Sequence, residues 1–165
     1  ISGLKIGTHS FDFQIDSSFF ANFPDSLMQE GQFEVHLDFE KRLNLYEMHF
    51  SFSGHTKTAC DRCLMELNFP VKGENLMLVK FAEAYLEEVD VLYIPINTEE
   101  LNVAKFIYEY LSLAVPYIKT YDCESEEERP CDEAMLKRLN QANDKSSDSQ
   151  GTNPIWDNLK NIKFN

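Results

Sequence analysis

Residues 32–41 read QFEVHLDFEK. Phe33, Val35, Leu37 and Phe39 take every second place, with polar or charged residues between them. Successive side chains leave a strand on opposite faces, so a period of two predicts a strand with one buried face and one wet face. The same pattern appears upstream at 9–16, HSFDFQID, with Phe11, Phe13 and Ile15 on one side. It continues downstream in 43–53, LNLYEMHFSFS, where Leu43, Leu45 and the other odd positions are taken as the inward set, less cleanly. Gly54 reads as a bend or bulge, and a separate strand from His55 to Ala59 reads as ending at a Cys-x-x-Cys turn. Residues 65–72 and 75–82 read as a hairpin about Lys72-Gly73-Glu74-Asn75.

Beyond the strands the pattern changes. Residues 17–30 read as short helical or irregular structure interrupted at Pro24. The acidic stretch 83–90 reads as a solvated loop, and 91–96, VLYIPI, as a short apolar strand. Thr98 has the character of a helix N-cap, with Glu99 and Glu100 in the first turn where the helix dipole favours acids. Leu101, Ala104, Ile107, Tyr108 and Leu111 fall at helical spacing, which predicts a helix over 98–113 that stops before Pro116. Asp132 is placed to cap a helix over 133–141. Strands first and helices last predict an α+β fold. In it an antiparallel sheet or partial barrel from the N-terminal half is packed by helices from the C-terminal half. The expected organisation is one α+β domain over 1–141, a flexible polar linker over 142–153 and a helical segment over 154–165. That last segment opens at Pro154 and carries Ile155, Trp156, Leu159 and Ile162 on one stripe.

The 165 residues include 13 Phe and 7 Tyr, enough for a substantial core. The net charge of −13 argues against a broad phosphate-binding surface and favours basic partners. No apolar run is long enough to span a membrane, and Ile1 is not followed by a secretory pattern. The reading therefore places the chain in the cytoplasm, where free or metal-bound thiols are expected over disulfides.

Four cysteines carry the chemistry that the sequence offers. Cys60 and Cys63 stand in a Cys-x-x-Cys step within TACDRCLMELNF, and Cys123 and Cys131 follow in an acidic loop. Two close pairs meeting in space can make a tetrahedral zinc site of four thiolates. The same four can instead be unligated thiols, Cys60 and Cys63 capping a strand turn and Cys123 and Cys131 incidental in the loop, or they can form a disulfide. A redox Cys-x-x-Cys normally opens a helix after a strand, whereas a strand-like segment follows here. His36, His49 and His55 lie on strands and read as ordinary sheet histidines. Glu99, Glu100 and Glu109 read as a solvated helix face. Six acids against one Arg over 124–133 read as a solvated loop. Neither a phosphate-binding glycine loop nor a nucleophile elbow is present. Positive charge gathers between 41 and 72, in Lys41, Arg42, Lys57, Arg62 and Lys72. Lys57, Arg62 and Lys72, with Trp156, are the candidate contacts for a partner or RNA.

Three stretches together resemble one family. Cys60-Asp61-Arg62-Cys63-Leu64 after a β-rich half, Glu109-Tyr110-Leu111-Ser112-Leu113-Ala114-Val115-Pro116, and Asn153-Pro154-Ile155-Trp156-Asp157-Asn158-Leu159 are similar in order and spacing to the YceD family of large ribosomal RNA accumulation proteins. Many members place more His or Cys after the Pro stop; here that region offers only Cys123 and Cys131, with Tyr121 near the place of an expected His. The resemblance implies a bacterial cytoplasmic factor for large ribosomal subunit biogenesis. Such a factor supports 23S rRNA accumulation or processing and has no known catalytic residues. The expected partner is a basic ribosomal protein or an assembly intermediate, with no DNA and no membrane. Zinc is the one cofactor the cysteines suggest. A thiol- or metal-dependent enzyme using Cys60 and Cys63, or a generic protein-interaction module, are the competing readings.

Overall fold

The computed structural model describes residues 1–24, 26, 28–121 and 130–147. The elements run β1 (Gly7–Ile15), α1 (Ser17–Phe20), β2 (Gly31–Lys41), β3 (Leu45–Ala59), β4 (Glu66–Phe81), β5 (Leu86–Glu88), β6 (Val91–Ile94), α2 (Ala104–Ala114) and α3 (Glu133–Ser147). The strands form one open sheet in the order β1-β2-β3-β4-β6-β5. Every pairing is antiparallel except β4 with β6, which is parallel. The α+β expectation holds, as an open sheet and not a barrel.

The alternation seen in 32–41 decides which face is buried. Phe33, Val35, Leu37 and Phe39 are all nearly inaccessible. Their register partners on β3 are Gly54, Phe52, Phe50 and Met48, so these point the same way. The inward set of β3 is therefore the even one, Tyr46, Met48, Phe50 and Phe52, and the odd-position reading is corrected. Leu43 precedes the strand and is exposed. A paired strand takes its phase from its neighbour, and local hydrophobicity could not set it. On β4 the same face carries Val71, Met77 and Val79. Helix α2 lies over this face through Phe106, Ile107, Tyr110 and Leu111, at the spacing of one helical stripe. Tyr110 meets the Phe50 ring at 5.2 Å, and Tyr108 stacks on Phe23 at 4.0 Å. Full burial of a side chain such as Phe50 contributes about 1.5–3 kcal/mol relative to exposure.

The bend or bulge expected at Gly54 and the hairpin turn expected at Gly73 are both replaced by unbroken strands. β3 runs through Gly54, paired to Phe33 on one side and Val71 on the other. β4 runs through Gly73, paired to Phe52. The glycines serve close approach. A Cβ on Gly54 would lie 2.1 Å from the Gln32 carbonyl oxygen, and one on Gly73 would lie 2.6 Å from the Phe52 ring. Glycine inside a strand can mark a close approach of this kind as well as a bend.

Two further boundaries shift. Helix α2 starts at Ala104 and not at Thr98, because the Thr98 hydroxyl donates to the Pro95 carbonyl in a turn. The Asn102 side chain instead accepts from the Ala104 N–H. The acidic stretch 83–90 contains β5, which pairs with β6 at the sheet edge. Asp132 does cap α3, accepting from the N–H groups of Ala134 and Met135 at 2.8 and 3.2 Å. The helix continues past 141 to Ser147. The expected segment 154–165, with Trp156, and Cys123 in the acidic loop lie outside the described residues.

Candidate functional site

The loop between β3 and β4 holds Cys60 and Cys63. It is closed by Leu64 N–H to the Cys60 carbonyl at 2.8 Å and Cys60 N–H to the Met65 carbonyl at 2.9 Å. Leu64 takes a left-handed conformation, φ 62°, to turn the chain back into β4. Asp61 clamps the segment after α2 to this loop. Its N–H donates to the Lys119 carbonyl at 2.8 Å, and its carboxylate accepts from the Lys119 N–H at 2.6 Å. The Lys119 ammonium adds an ion pair at 3.9 Å.

The clamp brings Tyr121 to the Cys60 sulfur. Burial pushes the Cys60 thiol up, but the backbone N–H groups of Tyr121, Cys63 and Arg62 and the Cys63 thiol all bond the sulfur and leave its pKa below the ordinary thiol value. Both sulfurs are sealed: Cys60 is 0% exposed and Cys63 2%. They share a small second core with Leu67 and Cys131, packed by Tyr121, Met135 and Leu136. One member of the late cysteine pair is thus gathered onto the end of the sheet with the early pair. Cys60 and Cys63 are free thiols, and Cys131 is disulfide-bonded. Among the described residues, no three His, Cys, Asp or Glu side chains stand ready to hold a metal ion.

The sheet face opposite α2 is the second feature. In register, one row across it reads Asp12, His36, Ser51, Glu74, and the next Ser10, Asp38, His49, Leu76. A third reads Gln14, Glu34, Ser53, Lys72. The first and third rows line a hollow of about 800 Å³. His36 sits between two carboxylates, Nδ1 2.7 Å from Asp12 and Nε2 3.3 Å from Asp38. The hydrogen bond with Asp12 is the main cause that raises the His36 pKa. Ser10 donates to Asp38 at 2.5 Å, which helps hold that carboxyl below its usual range. With both ring nitrogens engaged, His36 is not arranged as a free general base.

The basic candidates do not form one cluster. Lys57 and Lys72 share the polar face, where Lys57 lies 3.3 Å from Glu30 and 3.9 Å from Glu66. Arg62 is exposed on the cysteine loop. Arg42 is held by Glu40 and Glu47, both at 2.9 Å. Lys41 turns to the backbone carbonyls of Ile1, Ser2 and Leu4. Two features escaped the sequence reading: the Asp61 clamp and the acid-flanked His36. Asp61 lies inside the quoted Cys-Asp-Arg-Cys step, so a signal existed; the His36 pairing needs the β1–β2 register.

No curated protein and no solved structure matches the chain. Among the described residues, no helix is long and apolar enough to cross a membrane. The family model for the large ribosomal RNA subunit accumulation protein YceD matches residues 48–163, a span that starts within β3 and takes in the cysteine loop, α2 and α3. The match covers well over half of the sequence, and the chain belongs to the YceD family, whose role is in large-subunit ribosomal RNA accumulation.

Proposed function

We propose that the protein is a non-enzymatic cytoplasmic factor that supports 23S rRNA accumulation by docking a basic ribosomal protein or an assembly intermediate. The observation that carries this reading is the polar sheet face opposite α2, against which no helix or strand packs among the described residues. Asp12, Glu34, Asp38, Glu40, Glu47, Glu66 and Glu74 lie on it, against Lys57, Lys72, Lys80 and the Arg42 held between Glu40 and Glu47. Such a surface attracts and orients cationic proteins, and it repels phosphate backbones. The buried state of Cys60 and Cys63 supports a structural role for them over a nucleophilic one.

The cysteines act in this reading as a clasp that holds the segment after α2 and the start of α3 on the sheet. In reduced protein, Cys60, Cys63, Cys123 and Cys131 are the proposed zinc ligands. The donor chemistry fits, because backbone N–H groups aimed at Cys60 stabilise the thiolate that zinc requires. The tests are elemental analysis of reduced protein and native thiol titration with and without chelator. One zinc per chain with unreactive thiols supports the clasp. A single hyper-reactive thiol on metal-free, fully folded protein refutes it. For docking, the test is salt-sensitive co-purification with large-subunit precursor particles. Cells lacking the protein are expected to accumulate less 23S rRNA.

A further inference from the structure

β1 is the outermost strand of the sheet, and no strand pairs with its free edge among the described residues. Its nine residues therefore present an unpaired row of backbone N–H and C=O groups along one side. The two faces beside that row differ in character. Ser10, Asp12 and Gln14 pair with Asp38, His36 and Glu34, and so flank the edge on the acidic face. Phe11 and Phe13 pair with Leu37 and Val35, and so flank it on the apolar face. Phe11, at the middle of the strand, is 39% exposed although it lies on the core side. The apolar layer thus continues outward past its cover of helices to the rim of the sheet.

A strand added to this edge would lie roughly 4.8 Å from β1, with its side chains alternating between the two faces. Every second side chain would meet Phe11 and Phe13, and the others would meet Asp12 with Glu34 and Asp38 one strand further in. The chemistry that satisfies both faces is a basic residue alternating with an apolar one. We propose that the β1 edge is a docking site for an extended protein segment of alternating Lys or Arg and apolar residues, bound by strand addition. Backbone hydrogen bonds supply the affinity in this mode, and the alternating side chains supply selectivity. A second copy of this chain is a poorer occupant, because two bodies of net charge −13 repel. A phosphate backbone is excluded by the same carboxylates. The inference names a docking mode for the basic partner of the proposed function and rests on that reading for its biological setting only.

The test uses the full chain and a fluorescent peptide of five Lys-Val repeats. Two peptides serve as controls: five Glu-Val repeats, and the same five Lys and five Val in two blocks. Anisotropy gives the affinity, and amide hydrogen exchange reports on residues 7–15. The expected result is saturable binding of the alternating basic peptide alone, with new protection in β1. Asp12→Lys and Phe11→Lys change exposed side chains, and each is expected to weaken binding roughly tenfold while circular dichroism and Tm show a folded chain. Binding without β1 protection, equal binding of the blocked peptide, no binding at millimolar peptide, or β1 protection that rises with protein concentration alone would each overturn the proposal. The last result would assign the edge to self-pairing. Peptide binding with these properties but no association with ribosomal particles would leave the edge site standing and remove only the ribosomal reading.

Discussion

Replacing Gly54 with Ala sets two effects against each other. Glycine in a strand costs roughly 0.5–1 kcal/mol relative to alanine, so composition alone predicts that Gly54→Ala stabilises the protein. The structure predicts the opposite. The new Cβ would lie 2.1 Å from the Gln32 carbonyl oxygen and 2.7 Å from the Phe33 Cα, both backbone atoms of the paired strand. Neither can move without opening the β2–β3 ladder along a strand of 15 residues. Overpacking of this kind costs about 3 kcal/mol, and the net loss is about 2 kcal/mol. With a urea slope of about 2 kcal/mol per molar, the midpoint falls by about 1 M at unchanged slope. Gly73→Ala is the internal comparison. Its Cβ meets only the Phe52 ring, 2.6 Å away, and a ring can tilt, so the expected loss is about 1 kcal/mol. A Gly54→Ala protein as stable as the parent, or less affected than Gly73→Ala, would refute the assignment of these glycines to close strand approach.

Further outcomes follow from single residues. Phe50 is 1% exposed beneath Tyr110, and Phe50→Ala is expected to cost about 3–5 kcal/mol in urea unfolding. The buried Tyr110 hydroxyl has no hydrogen-bond partner among the described residues, so Tyr110→Phe should be neutral or stabilising by up to about 1 kcal/mol. Burial pushes the Tyr110 pKa up to about 12, so stability is full below the ordinary tyrosine value near 10 and declines as pH rises from there to about 12; Tyr110→Phe should remove that decline. NMR titration should place His36 above the ordinary histidine value. The stabilisation from its Asp12 bond is present at low pH and lost as pH rises through that raised value. Asp12→Asn should bring the His36 titration down, and an unmoved titration would show that the Asp12 bond is not its cause.

Alternation made β1 and β2 legible, because a half-buried strand prints its period directly on the sequence. The phase of β3 was not legible. Tyr46 and Phe50 compete with Leu43 and Leu45, and only pairing to Val35 and Leu37 decides between them. Gly54 and Gly73 misled for the reason that makes them useful: a missing Cβ permits a turn and a close approach alike. Thr98 and the acids after it looked like a helix start, yet Pro95 draws the Thr98 hydroxyl into a turn. At the site, the cysteine spacing signalled an organised loop. The donors to Cys60 could not be read, since Tyr121 arrives through the Asp61–Lys119 contact, whose partners are 58 residues apart. The acidic face was written in the polar half of each alternating run, but its rows exist only after the strands are in register.

The most direct measurement is gradient sedimentation of cell extract containing either the native chain or a variant with Asp12, Glu34, Asp38 and Glu74 changed to Lys. All four side chains lie on the polar face opposite α2, so the variant should keep its circular dichroism spectrum. The account predicts that the native chain travels with large-subunit precursor particles and that the folded variant stays at the top of the gradient. A folded variant that still travels with the particles would contradict docking through the acidic sheet face.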